Sequence, residues 1–369
     1  MSRRACAAVG LSAAFLLPAL WWTEQGSSVA PATAREVARN LPVVVDAPRG
    51  PVAVNQVSDE GTPAHSAKAD GFEWTRLSHV EGLTPAETPI ECAARDAAPR
   101  GNASTLVILI GNARGGELAW SSLRRHVLEP LGADLALLFG RAKVPRMLCE
   151  MSHHIWQYEE PRDWGDAFDA RARELGVGAS RFWRRPGDVS KLYGGIYDSE
   201  GNRTAGSGAI LVALRHFLAR DHASVLQRYR RLVLTRSDHY YACAHTATFP
   251  APGEVLLPDG ERHGGYSDRH HVVHSQGAST VIDVLSWLVA QDDFRGNIES
   301  AVAAHWKHAR VVAREFDRSM FTVHRAQDVA LDGPWNRHFK DRRCPELRGL
   351  FIHYPREYER AKHVCGHIK

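Results

Sequence analysis

The stretch TLVILIGNARGGELAWSSLRRHVLEPLGADLALLF, residues 105–139, contains two continuous apolar runs joined by a glycine-rich turn and an amphipathic segment. The first run, Thr105 to Ile110, consists of the branched residues typical of a strand buried on both faces. Apolar residues then recur at helical spacing over 118–131, and a second buried strand follows over 133–139. Strand, turn, helix and strand together predict a βαβ unit with a right-handed crossover.

The same alternation continues towards the carboxyl end of the chain. A helix face is expected over 210–218, the segment from Arg231 to Thr235 is typical of another buried strand, and a further helix is expected around Thr280–Val289. Strands that alternate with helices place the chain in the α/β fold class.

The overall composition excludes several classes of protein. The 369 residues include 46 Lys and Arg against 42 Asp and Glu, and 44% are hydrophobic. This is neither a wholly disordered chain nor a coiled-coil rod nor a multi-span membrane protein. A net charge of +4 is too dilute over this length to form an electrostatic footprint on nucleic acid, so no nucleic-acid partner is expected.

The amino terminus predicts a compartment. Arg3 and Arg4 precede an uncharged run from Ala5 to Trp22, which is close to the roughly 20 residues of a membrane-spanning helix. Because positive charges precede the run and none directly follows it, residues 1–22 are predicted to be a cytoplasmic tail and signal-anchor of a type II membrane protein. A cleaved signal peptide, with a small-x-small site at 32–34, stays open. Either topology places the remaining chain in a lumen or outside the cell.

Residues 23–100 are rich in Ala, Pro, Ser, Thr and Gly, which predicts a mostly disordered stem. The alternative is a small amino-terminal module, with Phe72-Glu-Trp74 and Cys92 packed onto the main domain. Five of the six cysteines follow the apolar run, so they form at most two disulfides, and no CxxC pair is present. Sequons at Asn102 and Asn202 suit a lumenal glycoprotein. Residues 101–369 are expected to form a single large domain.

Two predicted strand ends carry residues suited to ligand binding, which in an open α/β sheet occurs outside the carboxyl ends of the strands. In the loop from Gly111 to Gly116, glycines and Arg114 can approach an anion such as phosphate. This loop is neither a GxGxxG motif nor a P-loop, so a plain structural turn is the alternative. Arg236 and Asp238 directly follow another buried strand, where charges are costly unless they form an ion pair or a site.

A second acidic residue follows in the segment GGYSDRH, residues 264–270. Together with Arg236-Ser-Asp238, this segment resembles GT-A-type nucleotide-sugar-dependent glycosyltransferases, and more narrowly the glycosyltransferase-like members that carry R-x-D in place of DxD. The resemblance covers roughly Thr105 to Val323. It implies a GT-A-like (Rossmann-like) fold, with a mixed, mostly parallel sheet flanked by helices.

The resemblance also implies roles for individual residues. Asp238 matches the second acid of DxD, which binds a divalent cation, Mn²⁺ or Mg²⁺, that bridges the donor diphosphate. Asp268 matches the acid on the acceptor side, where it can act as a base. Gly111, Arg114 and Arg236 are expected to contact the nucleotide sugar.

Arg236 occupies the position of the first acid, so two arrangements stay open. Asp238 can hold the cation with help from phosphates and water, or Arg236 and Arg114 can neutralise the leaving diphosphate without a metal. In both arrangements Asp238, Asp268 and Arg114 are expected to line one cleft. A closed salt bridge of Asp238 away from any pocket would argue against this site.

The chain has 20 histidines, and imidazole is a common metal ligand. His270 and His274 are four residues apart and would share a helix face, but no HExxH motif is present. Single histidines are more often ordinary surface residues than ligands. His270 is therefore predicted only as a supporting ligand to the cation at Asp238.

Tail, anchor, stem and lumenal domain also form the layout of Golgi glycosyltransferases. The chain is therefore expected to move a sugar from a nucleotide-sugar donor to a glycan or glycoprotein in the Golgi or ER lumen, with secretion as the alternative location. Two other functions stay open. One is a lumenal metal-dependent hydrolase that uses Asp238, Asp268 and His270, and the other is a non-catalytic glycan-binding protein with the same fold.

Overall fold

A seven-stranded sheet lies at the centre of the structure, a computed structural model that describes residues 84–101, 103–140, 143–178, 180–185, 191–245, 248–324, 337–340 and 347–367. These residues belong to one compact unit. The strands within these ranges are β1 (Pro89–Ile90), β2 (Thr105–Gly111), β3 (Asp134–Gly140), β4 (Val144–Pro145), β5 (His154–Tyr158), β6 (Arg231–Thr235), β7 (His239–Tyr241), β8 (Glu254–Pro258), β9 (His271–His274), β10 (Val312–Phe316), β11 (Met320–His324), β12 (Arg337–His338) and β13 (Phe351–Ile352). The α-helices are α1 (Gly116–Leu123), α2 (Glu129–Leu131), α3 (Arg146–Met151), α4 (Gly165–Glu174), α5 (Gly208–Asp221), α6 (Ala223–Leu226), α7 (Ala278–Ile282), α8 (Val284–Val289), α9 (Ile298–His308) and α10 (Pro355–His367).

The central sheet has the strand order β10-β8-β9-β6-β2-β3-β5. Neighbouring strands are parallel except at β9, which is antiparallel to both β6 and β8. The α/β class and the mixed, mostly parallel sheet flanked by helices are therefore confirmed. Because β6 and β8 both run opposite to β9, their carboxyl ends lie at the same edge of the sheet as the carboxyl end of β2.

The βαβ unit predicted from residues 105–139 is present. Val107 lies opposite Leu135 in the parallel pair of β2 and β3, and β6 flanks β2 on its other side, with Thr105 opposite Arg231. The helical segment between β2 and β3 departs from the prediction in one respect. A π-helix, Arg124–Leu128, separates α1 from α2, and the apolar spacing does not reveal it.

The core occupies both faces of the central sheet. Successive side chains of a strand point to opposite faces. Leu106 and Ile108 accordingly pack with residues of α5, α8 and α9, whereas Val107 and Leu109 pack with residues of α1 and β11. All four side chains are fully buried. Burial on both faces explains why β2 is a continuous apolar run and not an alternating one.

A second, antiparallel sheet has the order β12-β13-β11-β7 in the described residues. Its strand β7 begins directly after Asp238 and pairs with β11, with His239 opposite Thr322. The small sheet therefore holds the chain that leaves the carboxyl end of β6. Nothing in the sequence predicts it, since β12 and β13 are two residues long.

Residues 84–100, assigned to the stem from the sequence, pack onto the central sheet. Cys92 forms a disulfide with Cys149, and the backbone of Arg95 exchanges hydrogen bonds of 3.0 and 2.9 Å with Ile155 in β5. The predicted stem, residues 23–100, is therefore wrong for residues 84–100, which a disulfide and backbone hydrogen bonds hold against the sheet. The contact of Cys92 with the main domain agrees with the alternative, whose other residues, 72–74, lie outside the described ones.

The predicted anchor, residues 1–22, and the stem as far as residue 83 lie outside the described residues. The sequon at Asn102 also lies outside them, whereas Asn202 is exposed. Within the described ranges, no helix is both long enough and apolar enough to cross a membrane.

Candidate functional site

The loop after β2 and the turn after β6 are hydrogen-bonded to each other at the carboxyl edge of the sheet. The main-chain N–H of Arg114 donates to the Ser237 hydroxyl at 2.9 Å, and that hydroxyl donates to the main-chain oxygen of Asn112. The indole N–H of Trp120 donates to the main-chain oxygen of Arg114 at 2.9 Å. Two segments that the sequence analysis predicted separately, the loop beginning at Gly111 and the turn 236–238, therefore form one structural unit.

Gly115 permits the close approach of these two segments. Its φ of +82° lies in the left-handed region, and a Cβ atom there would lie 2.6 Å from the Cα of Asp238. Any other residue would have to push the loop away from the turn. The glycine is therefore needed for the contact between the two segments, and not only for the direction of the chain.

Arg236 and Asp238 form a bidentate ion pair. The Nε of Arg236 donates to Oδ1 of Asp238 at 2.7 Å, and Nη2 donates to Oδ2 at 2.6 Å. The Asp238 side chain is 1% exposed, whereas that of Arg236 is 29% exposed. Burial alone would raise the pKa of Asp238, but the charge and hydrogen bonds of Arg236 hold it far below its usual range. Conversely, burial opposes the charge of Arg236, but Asp238 raises the pKa of the guanidinium.

This geometry decides which of the two groups can meet a ligand. Both carboxylate oxygens of Asp238 accept hydrogen bonds from Arg236, and the side chain is almost fully buried. A guanidinium has five N–H groups, and the bidentate pair uses two of them, so Arg236 keeps three for another partner. Arg236 is the partly exposed member, and Asp238 orients it.

The residues present do not fit a resident divalent cation at Asp238. Such a cation takes carboxylate oxygens as ligands, and both oxygens of Asp238 accept hydrogen bonds from a cationic side chain. Among the described residues, no group of three or more His, Cys, Asp or Glu side chains could hold a metal ion. The oxygens of Asp238 are thus directed to an arginine and not to an open coordination site.

His270 belongs to a buried polar cluster around Thr235. The Thr235 hydroxyl lies 3.0 Å from Nδ1 of His239, 3.0 Å from Nδ1 of His270 and 2.9 Å from the Tyr241 hydroxyl. The Nε2 of His270 lies 3.1 Å from Nε2 of His245. Burial lowers the pKa of His239 to about 3 and that of His245 to about 4, and it holds the pKa of His270 well below its ordinary value. Both ring nitrogens of His270 thus have neutral partners, which does not fit its predicted role as a supporting cation ligand.

Asp268 lies on the loop that follows β8 and is half-buried. Its main-chain oxygen accepts a hydrogen bond from the buried guanidinium of Arg215 in α5. Its negative charge contributes to the raised pKa of Arg236, so Asp268 lies within electrostatic reach of the ion pair. No hydrogen bond to the Asp268 carboxylate comes from any residue that the structure describes.

Gly265 brings the Asp268 loop against the start of α9. A Cβ atom at Gly265 would lie 1.9 Å from the main-chain oxygen of Glu299, and the N–H of Tyr266 donates to the same oxygen at 3.2 Å. Burial, and to a smaller degree the charge of Asp268, raises the pKa of the Glu299 carboxyl. The carboxyl groups of Asp268 and Glu299 therefore interact electrostatically.

Sequence reasoning missed Arg215, Glu299 and Tyr354. In the sequence Glu299 is an ordinary acidic residue of a first helical turn. Arg215 lies within an apolar helix, and a charge in such a run is the one signal that could have identified it. Tyr354 is brought in only by the fold: its ring centroid lies 3.8 Å from the guanidinium carbon of Arg269, and it interacts electrostatically with Arg236.

The predicted residues are thus only partly brought together. Arg114, Arg236 and Asp238 share one unit with the Gly111 loop, and Asp268, on the loop after β8, lies within electrostatic reach of Arg236. A cavity of about 340 Å³ in the described part of the chain is lined by none of Arg114, Asp238 and Asp268. The expectation of one cleft lined by all three is therefore not met by that cavity.

Comparisons with known proteins add little to this geometry. No protein-family model matches the sequence, and no curated protein matches it. Among solved structures, the chain is similar to the crystal structure of mouse xyloside xylosyltransferase 1 in its apo form, at 12% identity. The match covers 58% of this chain and 85% of the mouse chain, with a TM-score of 0.28. A likeness at that TM-score carries no argument about the site, whose interpretation depends on the contacts above.

Proposed function

We propose that the chain is a glycosyltransferase that moves a sugar from a nucleotide-sugar donor to a glycan or glycoprotein acceptor. The proposal draws on the resemblance of Arg236-Ser-Asp238 and of residues 264–270 to GT-A-type enzymes. One structural observation carries it further: the Arg114 loop is hydrogen-bonded, at 2.9 Å, to the turn that bears Arg236. Both cationic residues therefore belong to the sheet edge where ligands of open α/β sheets bind.

Arg236 and Arg114 would stabilise the leaving group. In the transfer step, an acceptor hydroxyl oxygen bonds to the anomeric carbon while the bond from that carbon to the diphosphate oxygen breaks. The diphosphate departs with the bonding electrons, and guanidinium groups compensate its charge. Arg114 is exposed, and Arg236 is held in one orientation by Asp238.

Asp268 would act on the acceptor. For an inverting transfer, a carboxylate takes the proton from the acceptor hydroxyl as the new bond forms. The contact with Arg215 positions Asp268 through its backbone, which leaves its carboxylate available to a substrate. Arg236, which would contact the leaving diphosphate, lies within electrostatic reach of Asp268.

The test is a panel of sugar nucleotides with glycan acceptors, with hydrolysis of the donor as a second readout. Asp268→Asn should lower transfer by about 10²- to 10⁴-fold, the usual contribution of a general base. The matched control is Asp317→Asn, which alters a carboxylate that is 94% exposed and should leave transfer unchanged. Equal activity of the two variants would remove Asp268 from the mechanism.

The metal-free arrangement has its own test. Because arginines supply the charge, transfer and nucleotide binding should persist in excess EDTA. Loss of nucleotide binding in EDTA, with recovery on addition of Mn²⁺, would contradict this arrangement while leaving the glycosyltransferase assignment intact.

A non-catalytic glycan-binding protein is the second candidate, since the carboxylate that the resemblance assigns to the cation is bonded to Arg236 through both oxygens. In that case glycans would bind without turnover, and sugar nucleotides would not raise the melting temperature. The same pair gives no support to a hydrolase that uses a metal at Asp238.

For the location we propose a Golgi or ER lumen, with secretion as the alternative. The Cys92–Cys149 disulfide supports an oxidising compartment. Protease protection in microsomes, combined with analysis of the culture medium, distinguishes an anchored lumenal protein from a secreted one.

A further inference from the structure

A short hairpin turn precedes α5 and lies between Tyr197 and Arg203, which form an antiparallel bridge at its base. Asp198 closes the turn, because its main-chain N–H donates to the main-chain oxygen of Asn202 at 3.0 Å. Its carboxylate accepts the main-chain N–H groups of Glu200 and Asn202 at 2.9 and 2.8 Å. The turn is therefore held by main-chain groups and by the Asp198 side chain.

The base of this hairpin is anchored in the core. The main-chain N–H of Thr204 donates to the oxygen of Ile196 at 3.0 Å, and the main-chain oxygen of Thr204 accepts the N–H of Gly195 at the same distance. Ile196 is fully buried. Gly194 lies so close to Gly206 that a Cβ atom on Gly194 would lie 2.1 Å from the Gly206 carbonyl carbon. The base is thus fixed by main-chain contacts that do not involve the side chains at the tip.

The tip of the hairpin lies in solvent. Residues 199–203 are exposed, and Thr204 is half-buried. The side-chain nitrogen Nδ2 of Asn202 makes two long contacts, 3.4 Å to Asp198 and 3.5 Å to Glu200, which are beyond the usual length of an N–H···O hydrogen bond. A bulky substituent on this nitrogen would therefore disturb neither a buried group nor the main-chain bonds of the turn.

Asn202-Arg-Thr204 is also an acceptor triplet for N-linked glycosylation, which needs Asn, any residue except Pro, and then Ser or Thr. Such triplets arise by chance, so the position in the fold decides whether one can carry a glycan. A glycan is bulky and hydrophilic and needs a surface position. Asn202 satisfies this requirement through its exposure and through the independence of the turn from its side chain.

We propose that Asn202 carries an N-linked glycan. The modification occurs in the secretory pathway, so this inference rests on the location proposed above, which the Cys92–Cys149 disulfide supports. In the transfer, Nδ2 of Asn202 bonds to the anomeric carbon of an oligosaccharide carried on a lipid diphosphate. The bond from that carbon to the diphosphate oxygen breaks, and the lipid diphosphate leaves with the electron pair. One amide proton of Nδ2 passes to a base of the transferring enzyme.

The test uses the full chain, expressed in a eukaryotic secretory host and treated with an enzyme that cleaves N-linked glycans from asparagine. Treatment should raise the electrophoretic mobility, and mass spectrometry should find an aspartate in place of the modified asparagine. The peptide that contains position 202 distinguishes this site from the sequon at Asn102.

Variants of the triplet separate the acceptor sequence from the asparagine itself. Asn202→Gln should lose one glycan, and Thr204→Ala should lose the same glycan although it retains the asparagine. Thr204→Ser keeps the acceptor triplet and should keep the glycan. The matched control is Glu200→Gln, which changes an exposed side chain of the same turn and should also keep it.

Protease protection in microsomes, measured on the same samples, separates this inference from the proposed location. A chain that is protected but unmodified at Asn202 would overturn the inference and leave the location intact. A chain that protease digests from outside the microsomes would overturn the location and the modification together. Loss of the glycan in Glu200→Gln as in Asn202→Gln would also contradict the inference, because the loss would then not depend on the triplet.

Discussion

Arg236 and Asp238 act as one group, because both oxygens of the carboxylate are bonded to the guanidinium. The sequence placed these charges at the end of a buried strand and left open whether they form a salt bridge or a site. In the structure they form a salt bridge. Because the Arg236 side chain stays partly exposed, the same salt bridge can also be part of a binding site. The carboxylate that a DxD comparison would assign to a metal instead positions an arginine.

Asp238→Asn tests this arrangement. The amide cannot hold Arg236 with two charged contacts, so we expect a loss of on the order of 1–3 kcal/mol in the free energy of unfolding, discounted for the exposure of Arg236. Under the proposed function, transfer should also fall about 10²-fold, as when a charge-stabilising donor is misplaced. Glu315→Gln is the control, since it removes an exposed ion pair with Arg262. Full activity in Asp238→Asn would show that the site is elsewhere.

The buried histidines predict acid sensitivity. In the unfolded chain they titrate near 6.5, but burial lowers the pKa of His239 and of His271 to about 3 and that of His245 to about 4. Between those values the unfolded state binds more protons, so the free energy of unfolding should fall as the pH drops below about 6.5. Each group contributes about 1.4 kcal/mol per pH unit within that window.

Urea unfolding at about pH 5, 6 and 7.5 measures this dependence. His271→Gln removes one titrating group and should reduce the slope below pH 6.5. His308→Gln changes an exposed histidine and should leave the slope unchanged. A stability that is flat from about pH 7.5 to 5 would show that these imidazoles are not buried in neutral form.

At the scale of elements, the strand-turn-helix-strand unit could be predicted because hydrophobic burial on both faces of a parallel strand leaves a continuous apolar run. The contact between the Gly111 loop and the 236–238 turn could not be predicted from the sequence. It joins residues more than 120 positions apart through Ser237, and nothing local to either segment encodes the pairing. The small sheet escaped prediction because its strands are short and their partners distant.

Gly115→Ala tests the contact between the two segments. An added Cβ would meet the Cα of Asp238 at 2.6 Å and the Cβ of Ala119 at 2.9 Å, in addition to adopting a left-handed φ. We expect about 2–4 kcal/mol of destabilisation, the sum of backbone strain and overpacking. Gly132→Ala is the matched control, since Gly132 also has a positive φ, +54°, but open space around its Cβ position. Equal losses in the two variants, measured by urea unfolding, would refute the close approach.

For the molecule as a whole, residues 84–100 are part of the folded domain, although their composition predicts a disordered stem. The Cys92–Cys149 disulfide and the backbone bridge to β5 hold them in place. Cysteine pairing could not be read from five candidate positions, because spacing alone does not specify connectivity.

The double variant Cys92→Ala/Cys149→Ala tests how much the disulfide stabilises this segment. Opening a loop with a sequence separation of 57 should cost about 2–4 kcal/mol of unfolding free energy, mainly by enlarging the unfolded ensemble. Limited proteolysis should then cut within residues 84–100 before the remainder of the domain. An unchanged melting temperature and an intact segment would mean that the backbone contacts suffice without the bond.

The α/β class, the buried parallel strands and the strand ends that bear Arg114, Arg236 and Asp238 could all be predicted from the sequence. These follow from hydrophobic periodicity and from the cost of burying charge, which act locally. Two features are visible only in the folded protein: both oxygens of Asp238 bond to Arg236, and His270 lies among neutral polar groups. Such arrangements depend on contacts between residues that are distant in the sequence, and no local sequence pattern specifies those contacts.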